Sequence, residues 1–411
     1  MQATVHLVLK NKLRHVEAIS LAILLVGALP WSPLARAEDT ITFGAALSLT
    51  GKTATEGVQV KDGYDFYVDH INQMGGINVG GKKYKVAIKY YDDESSAATS
   101  AKLYQKLIAE DGIKLLLGPY SSGITMAASA VTEKYKVPMV LAHGAALALY
   151  DRGFKYIFGT LTPVDQYTVN YIKMAADAQP RGQRVALVQE NDLFPKQAIE
   201  GAAQQAKATK LDIVYTGTYP TGTKDFSSMV EAIKASNPDV LIAAGYTGDM
   251  LTLTRQIAEQ GLKVKMFGVM LGPTLPGYID SLGKLAEGQL EPIQWSPNLP
   301  YKDQIFGWTA TEFADIYKKE KGHIPDYHPP QSMAALEVYQ NAIERTGSLD
   351  PEKLRDAIAQ TDMMTLYGPI KFNAKGANTA KGMLVVQVQK GKPVVVYPPD
   401  GAEGKFIYPM P

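Results

Sequence analysis

The sequence contains no cysteine among its 411 residues. This absence excludes disulfides, thiolate nucleophiles, zinc sites built from thiolates and iron–sulfur clusters. An excess of charge of one sign is also missing, because 42 Lys and Arg stand against 41 Asp and Glu. With no basic stripe either, we expect no nucleic-acid partner. The composition, 20% charged and 46% hydrophobic, is typical of a soluble protein with enough length for two domains.

No apolar run in the sequence is long enough to span a bilayer. The longest, residues 18–29, has about twelve residues, whereas a membrane helix needs about 20. Three basic residues precede it, and Ala35-Arg36-Ala37 has the pattern that signal peptidase cleaves. We therefore predict a signal peptide over 1–37 and a mature chain that begins at Glu38 and is free in an exported compartment. Without a cysteine at the cleavage site we expect neither a lipoprotein nor membrane insertion.

Beyond residue 40, short β-rich apolar runs alternate with helix-length amphipathic stretches. The first predicted strand, 41–47, precedes a helix whose Val60, Tyr64, Val68 and Ile71 line one face. This rhythm predicts an α/β fold with parallel sheets, and it restarts after Pro163 as a second series. Further along, the pattern predicts a strand over 113–117 and helices over 164–178, 306–319 and 332–346.

Motifs of catalytic or cofactor chemistry are incomplete. Gly51-Lys52-Thr53 resembles the end of a P-loop, but position 46, where that motif needs glycine, is alanine. His323 and His328 flank Pro325, so one regular helix face cannot present both to a metal. The sequence shows neither a Gly-x-Ser-x-Gly elbow nor a spaced Ser-His-Asp set. We therefore expect no enzyme, no metal site and no cofactor.

Two groups of polar residues follow predicted parallel strands. Ser121 and Ser122 stand at the end of the third strand and open the next helix, where backbone N–H groups and hydroxyls suit a carboxylate. Either serine could instead serve only as a helix N-cap. His143 follows the fourth strand, where α/β proteins form ligand crevices. It is either a ligand contact or an ordinary surface or internally hydrogen-bonded histidine.

Several short motifs, taken in their order along the chain, resemble one family. They are Ile41-Thr42-Phe43-Gly44-Ala45-Ala46-Leu47-Ser48-Leu49-Thr50-Gly51, Ile71-Asn72-Gln73-Met74-Gly75-Gly76-Ile77, Tyr91-Asp92-Asp93-Glu94, Leu117-Gly118-Pro119-Tyr120-Ser121-Ser122, Val137-Pro138, Lys224-Asp225-Phe226 and Tyr367-Gly368-Pro369-Ile370. Over about residues 40–400 the chain resembles the branched-chain amino acid and amide group of periplasmic solute-binding proteins of ABC importers. The resemblance implies a type I fold, in which two doubly wound Rossmann-like lobes joined by three crossovers close over a ligand.

The resemblance also implies domain boundaries and partners. Lobe 1 is expected to comprise 38–160 and 291–379, and lobe 2 to comprise 161–290 and 380–411. The expected partners are a small-molecule carboxylate and an ABC permease in the inner membrane, which reads the open–closed equilibrium. We expect a monomer, as is usual for such carriers.

The resemblance also assigns ligand-binding roles to individual residues of this chain that match the family's site positions. Ser122, with Ser121 beside it, matches the serine that holds the ligand carboxylate. Gly144 and Ala145 match the segment that holds the polar end of the ligand, although amino-acid binders usually have threonine where Ala145 stands. Phe194 and Tyr246 match aromatic positions that cover the ligand, and Trp295 lies near the second crossover; each of these rings could instead be core.

The largest departure from the family concerns the ligand ammonium. Amino-acid binders place an acid where this chain has Met270, and the segment 269–275 contains no acid. A buried ammonium without its carboxylate would cost about 3–5 kcal/mol. We therefore predict that the ligand is a small, aromatic organic acid without an α-amino group. The alternatives are a branched-chain amino acid carrier, with Asp249 or Glu56 facing the ammonium, and a ligand-sensing module for a membrane receptor.

Overall fold

The computed structural model describes residues 39–411. The predicted signal peptide and the predicted first mature residue, Glu38, lie outside the described residues. Within the described part, no helix combines the length and the apolar character needed to cross a membrane.

The first sheet has six strands, arranged in the order β2-β3-β1-β4-β5-β6. They are β1 (Thr40–Leu47), β2 (Ile77–Val79), β3 (Lys82–Asp92), β4 (Leu116–Leu117), β5 (Met139–Leu141) and β6 (Ile157–Gly159). Neighbouring strands are parallel, apart from the antiparallel pair β2–β3. In the central pair, Thr40 lies opposite Lys85 and Leu47 opposite Asp92.

The second sheet has seven strands, arranged in the order β15-β14-β11-β10-β9-β7-β8. The five parallel ones are β7 (Arg184–Glu190), β8 (Asp212–Tyr219), β9 (Val240–Ala244), β10 (Met266–Val269) and β11 (Leu290–Ile293). Two antiparallel strands, β14 (Leu384–Gln389) and β15 (Lys392–Tyr397), extend the sheet beyond β11. A separate hairpin pairs β12 (Asp362–Thr365) with β13 (Gly368–Lys371). This mixed α/β architecture with two lobes confirms the predicted fold class.

Twelve α-helices cover the sheets within residues 39–411. They are α1 (Ala54–Gln73), α2 (Ala97–Ala109), α3 (Ser122–Tyr135), α4 (Leu147–Tyr150), α5 (Val169–Asp177), α6 (Leu193–Thr209), α7 (Ser227–Ala235), α8 (Thr247–Glu259), α9 (Tyr278–Leu282), α10 (Ala310–Lys321), α11 (His328–Thr346) and α12 (Pro351–Ala359). We call the first sheet and the helices packed on it lobe 1, and the second sheet with its helices lobe 2.

Helix α11 comes late in the chain but belongs to lobe 1, because it packs against α1, β2 and β5. The contact with α1 is close: a Cβ on Gly63 would lie only 2.6 Å from Pro329 Cα, so a larger residue would force the two helices apart. On α1, three residues of the predicted apolar face, Val60, Tyr64 and Ile71, are fully buried, and the fourth, Val68, is half-buried. This packing carries the first turn of α11 to the edge of the first sheet.

Four predicted elements differ from those observed. The helix predicted over 164–178 is a 3-10 turn at 164–166 followed by α5 from Val169. The helix predicted over 306–319 begins at Ala310, where Thr309 and Glu312 form a reciprocal capping box. The strand predicted over 113–117 pairs only at Leu116–Leu117.

The remaining difference bears on function. The helix predicted over 332–346 begins four residues earlier, at His328. Pro329 and Pro330 lie in the first turn of this helix, which proline fits because the N–H groups there have no intrahelical partner. His328 and Gln331 therefore lie on the first turn of α11.

The side chain of Gln294, directly after β11, links the crossovers between the lobes. Its Oε1 accepts from the backbone N–H of Thr162, 3.0 Å away, and from the Tyr367 hydroxyl, while its Nε2 bonds to the Tyr167 hydroxyl. Thr162 in turn donates from its own hydroxyl to the backbone carbonyl of Lys381, at 3.0 Å. One network thus connects three segments between the two sheets. The domain boundaries proposed from the sequence stay a prediction.

Candidate ligand-binding site

A cavity of about 40 Å³, measured for the centre of a water-sized sphere, lies between the two lobes, at the carboxyl ends of their parallel strands. Ligand crevices of α/β sheets form at this edge. Its lining residues are Tyr120, Ser121, Ser122, His143, Ala145, Leu161, Tyr167, Phe194, Tyr246, Leu271, Tyr327, His328 and Gln331. None of these lining residues has a carboxylate side chain.

Ser121 and Ser122 bring the start of α3 to the cavity. The Ser121 hydroxyl oxygen accepts from Ile124 N–H at 3.3 Å and caps the helix, so the N-cap reading of this residue holds. The Ser122 hydroxyl oxygen accepts from the backbone N–H groups of Ala145 and Ala146, at 3.2 and 3.1 Å. Both bonds use the oxygen, which leaves the hydroxyl hydrogen of Ser122 available to donate.

His143 is buried and held by two neighbours on α11. Its Nε2 lies 3.0 Å from Ser332 Oγ, and its Nδ1 lies 2.7 Å from Gln331 Nε2. Burial, followed by the nearby imidazole of His328, lowers the pKa of His143 well below its usual range, so the ring is neutral at pH 7. His143 is internally hydrogen-bonded, as one interpretation of the sequence had it, and it also lines the cavity. Its contact with a ligand stays a prediction.

The second imidazole of the cavity belongs to His328. Its Nδ1 and its backbone N–H bond to the Asp326 carboxylate, at 3.0 and 2.6 Å. Its Nε2 lies 3.5 Å from the Tyr120 hydroxyl. The His143 and His328 rings stack with their centroids 5.0 Å apart. Lobe 1 thus presents hydroxyl, imidazole and amide groups to the cavity.

Lobe 2 presents mainly ring faces and aliphatic groups. Phe194, on the first turn of α6, stacks on Tyr246 with centroids 6.3 Å apart and meets Tyr167 edge-on at 5.7 Å. Tyr246 ends the loop after β9 and also approaches Tyr120 of lobe 1, at 6.4 Å. Leu271 follows β10 and completes this wall.

Ion pairs join the lobes beside the cavity. The ammonium of Lys52, a residue shortly after β1, lies 3.1 Å from Glu190 Oε1 and 2.9 Å from Asp192 Oδ2. Glu190 is the last residue of β7, and Asp192 follows that strand. Burial lowers the pKa of Lys52, but Asp192 and Glu190 outweigh it, so the pKa is raised and the side chain is charged. The ammonium also lies over the Tyr246 ring, 4.9 Å from its centroid. Lys52 therefore acts as a link between lobes.

The lobes approach each other closely at Gly123. A Cβ on Gly123, the second residue of α3, would lie 2.7 Å from Asp192 Oδ1. A larger residue there would press directly on the carboxylate that pairs with Lys52. The two lobes are thus in contact around the cavity.

Two acids considered as ammonium partners lie outside the cavity lining. Glu56, on α1, accepts through Oε1 from the N–H and the hydroxyl of Thr247 in lobe 2, whereas its buried Oε2 has no hydrogen-bond partner within residues 39–411. Asp249 accepts from the Tyr219 hydroxyl at 3.3 Å. Burial, with Glu190 nearby, raises the pKa of Asp249 to about 6. The Asp249 side chain is half-buried.

Six of the nine predicted site residues line the cavity together: Ser121, Ser122, His143, Ala145, Phe194 and Tyr246. Gly144 is buried beside them, and its carbonyl accepts from the Tyr150 hydroxyl at 2.6 Å. Met270 is fully buried, and its neighbour Leu271 takes the place in the lining. The role of these residues in binding stays a prediction.

Trp295 lies apart from this cavity. Its indole N–H donates to the carbonyl of Leu366 at 2.9 Å, and its ring meets Phe313 edge-on. It lines a separate cavity with Ile293 and Pro297. Trp295 was predicted either to line the ligand site or to belong to the core, and its position fits a core residue.

The loop after β10 rests on a carboxylate that the sequence did not single out. Glu291, on the adjacent strand β11, accepts from Gly272 N–H at 3.2 Å and from Thr274 N–H at 2.7 Å. Burial raises the pKa of Glu291 from 4.5 to about 7. Glu291 is not among the lining residues of the cavity, so it supports the loop from behind.

Seven lining residues were not predicted from the sequence. Leu161, Tyr167 and Leu271 carried no signal of their own, and the polar or aromatic residues Tyr120, Tyr327, His328 and Gln331 were also missed. Tyr120 adjoins Ser121 in a motif that was singled out, and that adjacency was a usable signal. The other three lie around Pro329 and Pro330, which hid the start of α11. Within residues 39–411, no group of three or more His, Asp and Glu side chains is placed to hold a metal ion.

Comparison with known proteins finds one family, a curated relative and two solved structures of similar fold. The profile of the family described as "Periplasmic binding protein" matches residues 40–393. A Leu/Ile/Val-binding protein homolog of Brucella abortus is 26% identical over 387 residues, which span 90% of this chain and 93% of the relative.

Among solved structures, a leucine-binding protein of Thermotoga maritima superposes with a TM-score of 0.76 at 20% identity, covering 86% of this chain and 97% of that one. A solute-binding protein of an R. palustris ABC transporter, solved with benzoate, gives a TM-score of 0.73 at 19% identity, covering 90% and 97%. At these identities the two likenesses establish the fold.

Proposed function

The chain belongs to the periplasmic binding protein family, and on that premise we propose that it captures a small aromatic carboxylate as the extracytoplasmic subunit of an ABC importer. The family makes it a solute-binding protein and not an enzyme. The observation that carries the choice of ligand is the cavity wall, which combines serine hydroxyls and aromatic rings but has no carboxylate of its own.

The serine pair supports an anionic ligand group. The Ser122 hydroxyl accepts twice from backbone N–H groups and is thereby polarised to donate. A carboxylate that accepts this hydrogen at the start of α3 gains a charge-assisted bond and a favourable position at the positive end of the helix. Since no acid lines the cavity, such an anion meets no like charge in the wall itself.

The rings support a flat, apolar ligand body. Phe194, Tyr246 and Tyr167 enclose one side through contacts between centroids of about 6 Å. Stacked and edge-on contacts of this kind contribute roughly 0.5–1.5 kcal/mol per pair beyond area burial. A benzoate-like ring is therefore a suitable occupant.

Closure of the lobes supports the carrier mechanism. Lys52 and Glu56 of lobe 1 pair with Glu190, Asp192 and Thr247 of lobe 2 around the cavity. A ligand that touches both walls favours the state in which these contacts form, so binding shifts the open–closed equilibrium. The proposal includes export by the predicted signal peptide, a periplasmic location, a monomeric carrier and a membrane permease that reads closure.

A branched-chain amino acid is the second candidate ligand. It is favoured by Glu56 Oε2, a buried carboxylate oxygen without a hydrogen-bond partner in the described part of the chain. The name of the Brucella relative and the leucine-binding structure point in the same direction. Because Glu56 already accepts from Thr247 and lies outside the cavity lining, we rank this ligand second.

Calorimetric titration of the secreted protein with benzoate, leucine and valine separates the two ligands. We expect benzoate to bind and the two amino acids to bind far more weakly. Mass spectrometry of the small molecule that copurifies with the protein provides an independent readout. Tight leucine binding without a response to aromatic acids would contradict the proposed ligand and establish the second candidate.

A further inference from the structure

The amide of Gln331 can be oriented from its hydrogen bonds alone. Gln331 lines the cavity, and its Nε2 lies 2.7 Å from the carbonyl oxygen of Ala142. A carbonyl oxygen only accepts, so the atom at that distance must carry hydrogen. The alternative amide orientation would set two acceptor oxygens against each other. The Gln331 carbonyl oxygen therefore points away from Ala142.

A second chain of bonds leads to the same orientation from another starting point. Ser332 Oγ lies 2.8 Å from the backbone carbonyl of His328, so the serine hydroxyl donates there. Its oxygen then accepts from His143 Nε2–H at 3.0 Å. A neutral His143 with hydrogen on Nε2 has an acceptor at Nδ1, which takes the second N–H of Gln331 at 2.7 Å. Both amide hydrogens of Gln331 are thus used within the protein.

What remains of Gln331 is an acceptor without a donor. Its Oε1 is buried and has no hydrogen-bond partner within residues 39–411. The residue as a whole is 1% exposed. Buried carbonyl oxygens are normally paired, and an unpaired one is costly. A ligand that brings a donor to this point would remove the cost, whereas a ligand without one would leave it in place.

We propose that the ligand ring carries a hydrogen-bond donor, a hydroxyl or an amino group, which is bound by Gln331 Oε1 and makes Gln331 the specificity residue of the site. This inference rests on the proposed function and narrows it from aromatic acids to those with a donor on the ring. His328 Nε2 and the Tyr120 hydroxyl lie 3.5 Å apart in the same lining and add polar atoms around the substituent. Plain and methylated rings are discriminated against because they leave the amide oxygen unpaired.

The wild-type protein tests the proposal with a ligand panel. Benzoate, its three hydroxy isomers, its three amino isomers and the matching methoxy isomers are titrated by calorimetry. We expect one hydroxy or amino isomer to bind at least about 10-fold more tightly than benzoate. The benzoate with a methoxy group at the same ring position lacks the hydrogen-bond donor, so it should lose this gain in affinity. The hydroxy and amino arms identify which donor is preferred.

A matched pair of variants then assigns the effect to Gln331. In Gln331→Met the ratio between the preferred isomer and benzoate should fall to about 1. The control, Gln340→Met, lies on the same helix and its Oε1 accepts from the Tyr67 hydroxyl; it should keep the wild-type ratio. Should Gln331→Met fail to fold, the wild-type panel still decides whether the site selects for a donor.

The possible results separate the two levels of the proposal. If benzoate binds as tightly as every hydroxy and amino isomer, the donor requirement is wrong while the proposed function stands. If an isomer is preferred but Gln331→Met keeps the preference, another group recognises the donor and the assignment to Gln331 is overturned. If no aromatic acid binds, the proposed function itself fails.

Discussion

The two walls of the cavity offer a ligand different chemistry. Lobe 1 contributes the hydroxyl of Ser122, the imidazoles of His143 and His328 and the amide of Gln331. Lobe 2 contributes the ring of Phe194 and the aliphatic and aromatic groups around it. Hydrogen bonds are directional and ring contacts much less so. Lobe 1 is therefore suited to fix the orientation of a ligand, and lobe 2 to close over its body.

The loops behind the walls differ in the same way. The loop after β5 in lobe 1 is held by neutral groups, since Ser122 and Gln331 bond to it. The loop after β10 in lobe 2 is held by Glu291, a buried carboxylate. A carboxylate support responds to pH and a neutral support does not. The following predictions test this contrast between the lobes, in decreasing order of expected effect.

Glu291→Gln should remove a pH dependence of stability that originates in lobe 2. The folded pKa of Glu291, about 7, exceeds its ordinary value of 4.5 because of burial. The unfolded chain thus loses this proton first, and the free energy of unfolding should fall between about pH 4.5 and 7. Each unit of pKa difference corresponds to about 1.4 kcal/mol, or roughly 3 kcal/mol in total. Urea denaturation at several pH values measures it.

In that experiment the variant should be stabilised relative to wild type as pH rises to about 7, and the difference should then level off. Glu259→Gln, at an exposed position at the end of α8, is the matched control and should show no such trend. A constant difference between wild type and Glu291→Gln at every pH would contradict the proposed role of the carboxylate.

Ser122→Ala should weaken carboxylate binding by lobe 1. The loss of one charge-assisted hydrogen bond costs about 1.5–3 kcal/mol, or roughly 10-fold to 150-fold in Kd. Benzamide, which lacks the charge, should lose less. Ser129→Ala, on the same helix with its hydroxyl bonded to Thr125 O at 2.6 Å, should keep the wild-type Kd. Equal losses for benzoate and benzamide would show that Ser122 does not recognise charge.

Phe194→Leu should weaken binding by lobe 2 without regard to charge. Loss of a ring contact of about 0.5–1.5 kcal/mol predicts a 2-fold to 13-fold higher Kd for benzoate and for benzamide alike. Phe226→Leu removes a buried ring that packs on Tyr219 at 4.9 Å and serves as control: it should lower stability but not affinity. If Phe194→Leu weakened the binding of benzoate but not of benzamide, lobe 2 would also recognise charge, and the proposed difference between the two walls would be contradicted.

Lys52→Met should have the smallest effect on Kd, because the Lys52 ammonium keeps contact with solvent. The Lys52 side chain is 30% exposed, whereas its partners Glu190 and Asp192 are 1% and 15% exposed. Solvent-screened pairs contribute about 0.2–1 kcal/mol, and leaving Glu190 unpaired should add a loss of stability that does not depend on the ligand. We expect Kd to rise less than about 5-fold and to depend less on salt than in wild type. Lys61→Met removes an i,i+4 pair with Asp65 within α1 and should leave both unchanged. An undiminished salt dependence in Lys52→Met would refute its role as a link.

The sequence predicted the fold well because its signals are local. Apolar runs and amphipathic faces, such as Val60, Tyr64 and Ile71 on α1, depend on residues a few positions apart. Ser121, Ser122 and His143 could be identified because they directly follow strands whose ends meet at one edge.

The rest of the site depends on contacts that sequence spacing does not encode. Gln331 reaches the cavity only because α11 packs against β5 and begins at His328, directly before Pro329 and Pro330. Glu291 supports a loop on the neighbouring strand, a contact set by sheet order. Met270 was predicted to line the cavity, but its neighbour Leu271 does so. An alignment error of one residue is enough to select the wrong side chain.

The Gln294 network has a consequence for how such a carrier can diversify. Because one side chain connects Thr162, Tyr167 and Tyr367 between the lobes, a change there alters the cost of opening. Tyr167 also lines the cavity, so the same change reaches the cargo. Strength of retention and choice of cargo are therefore coupled through the Tyr167 hydroxyl and would change together.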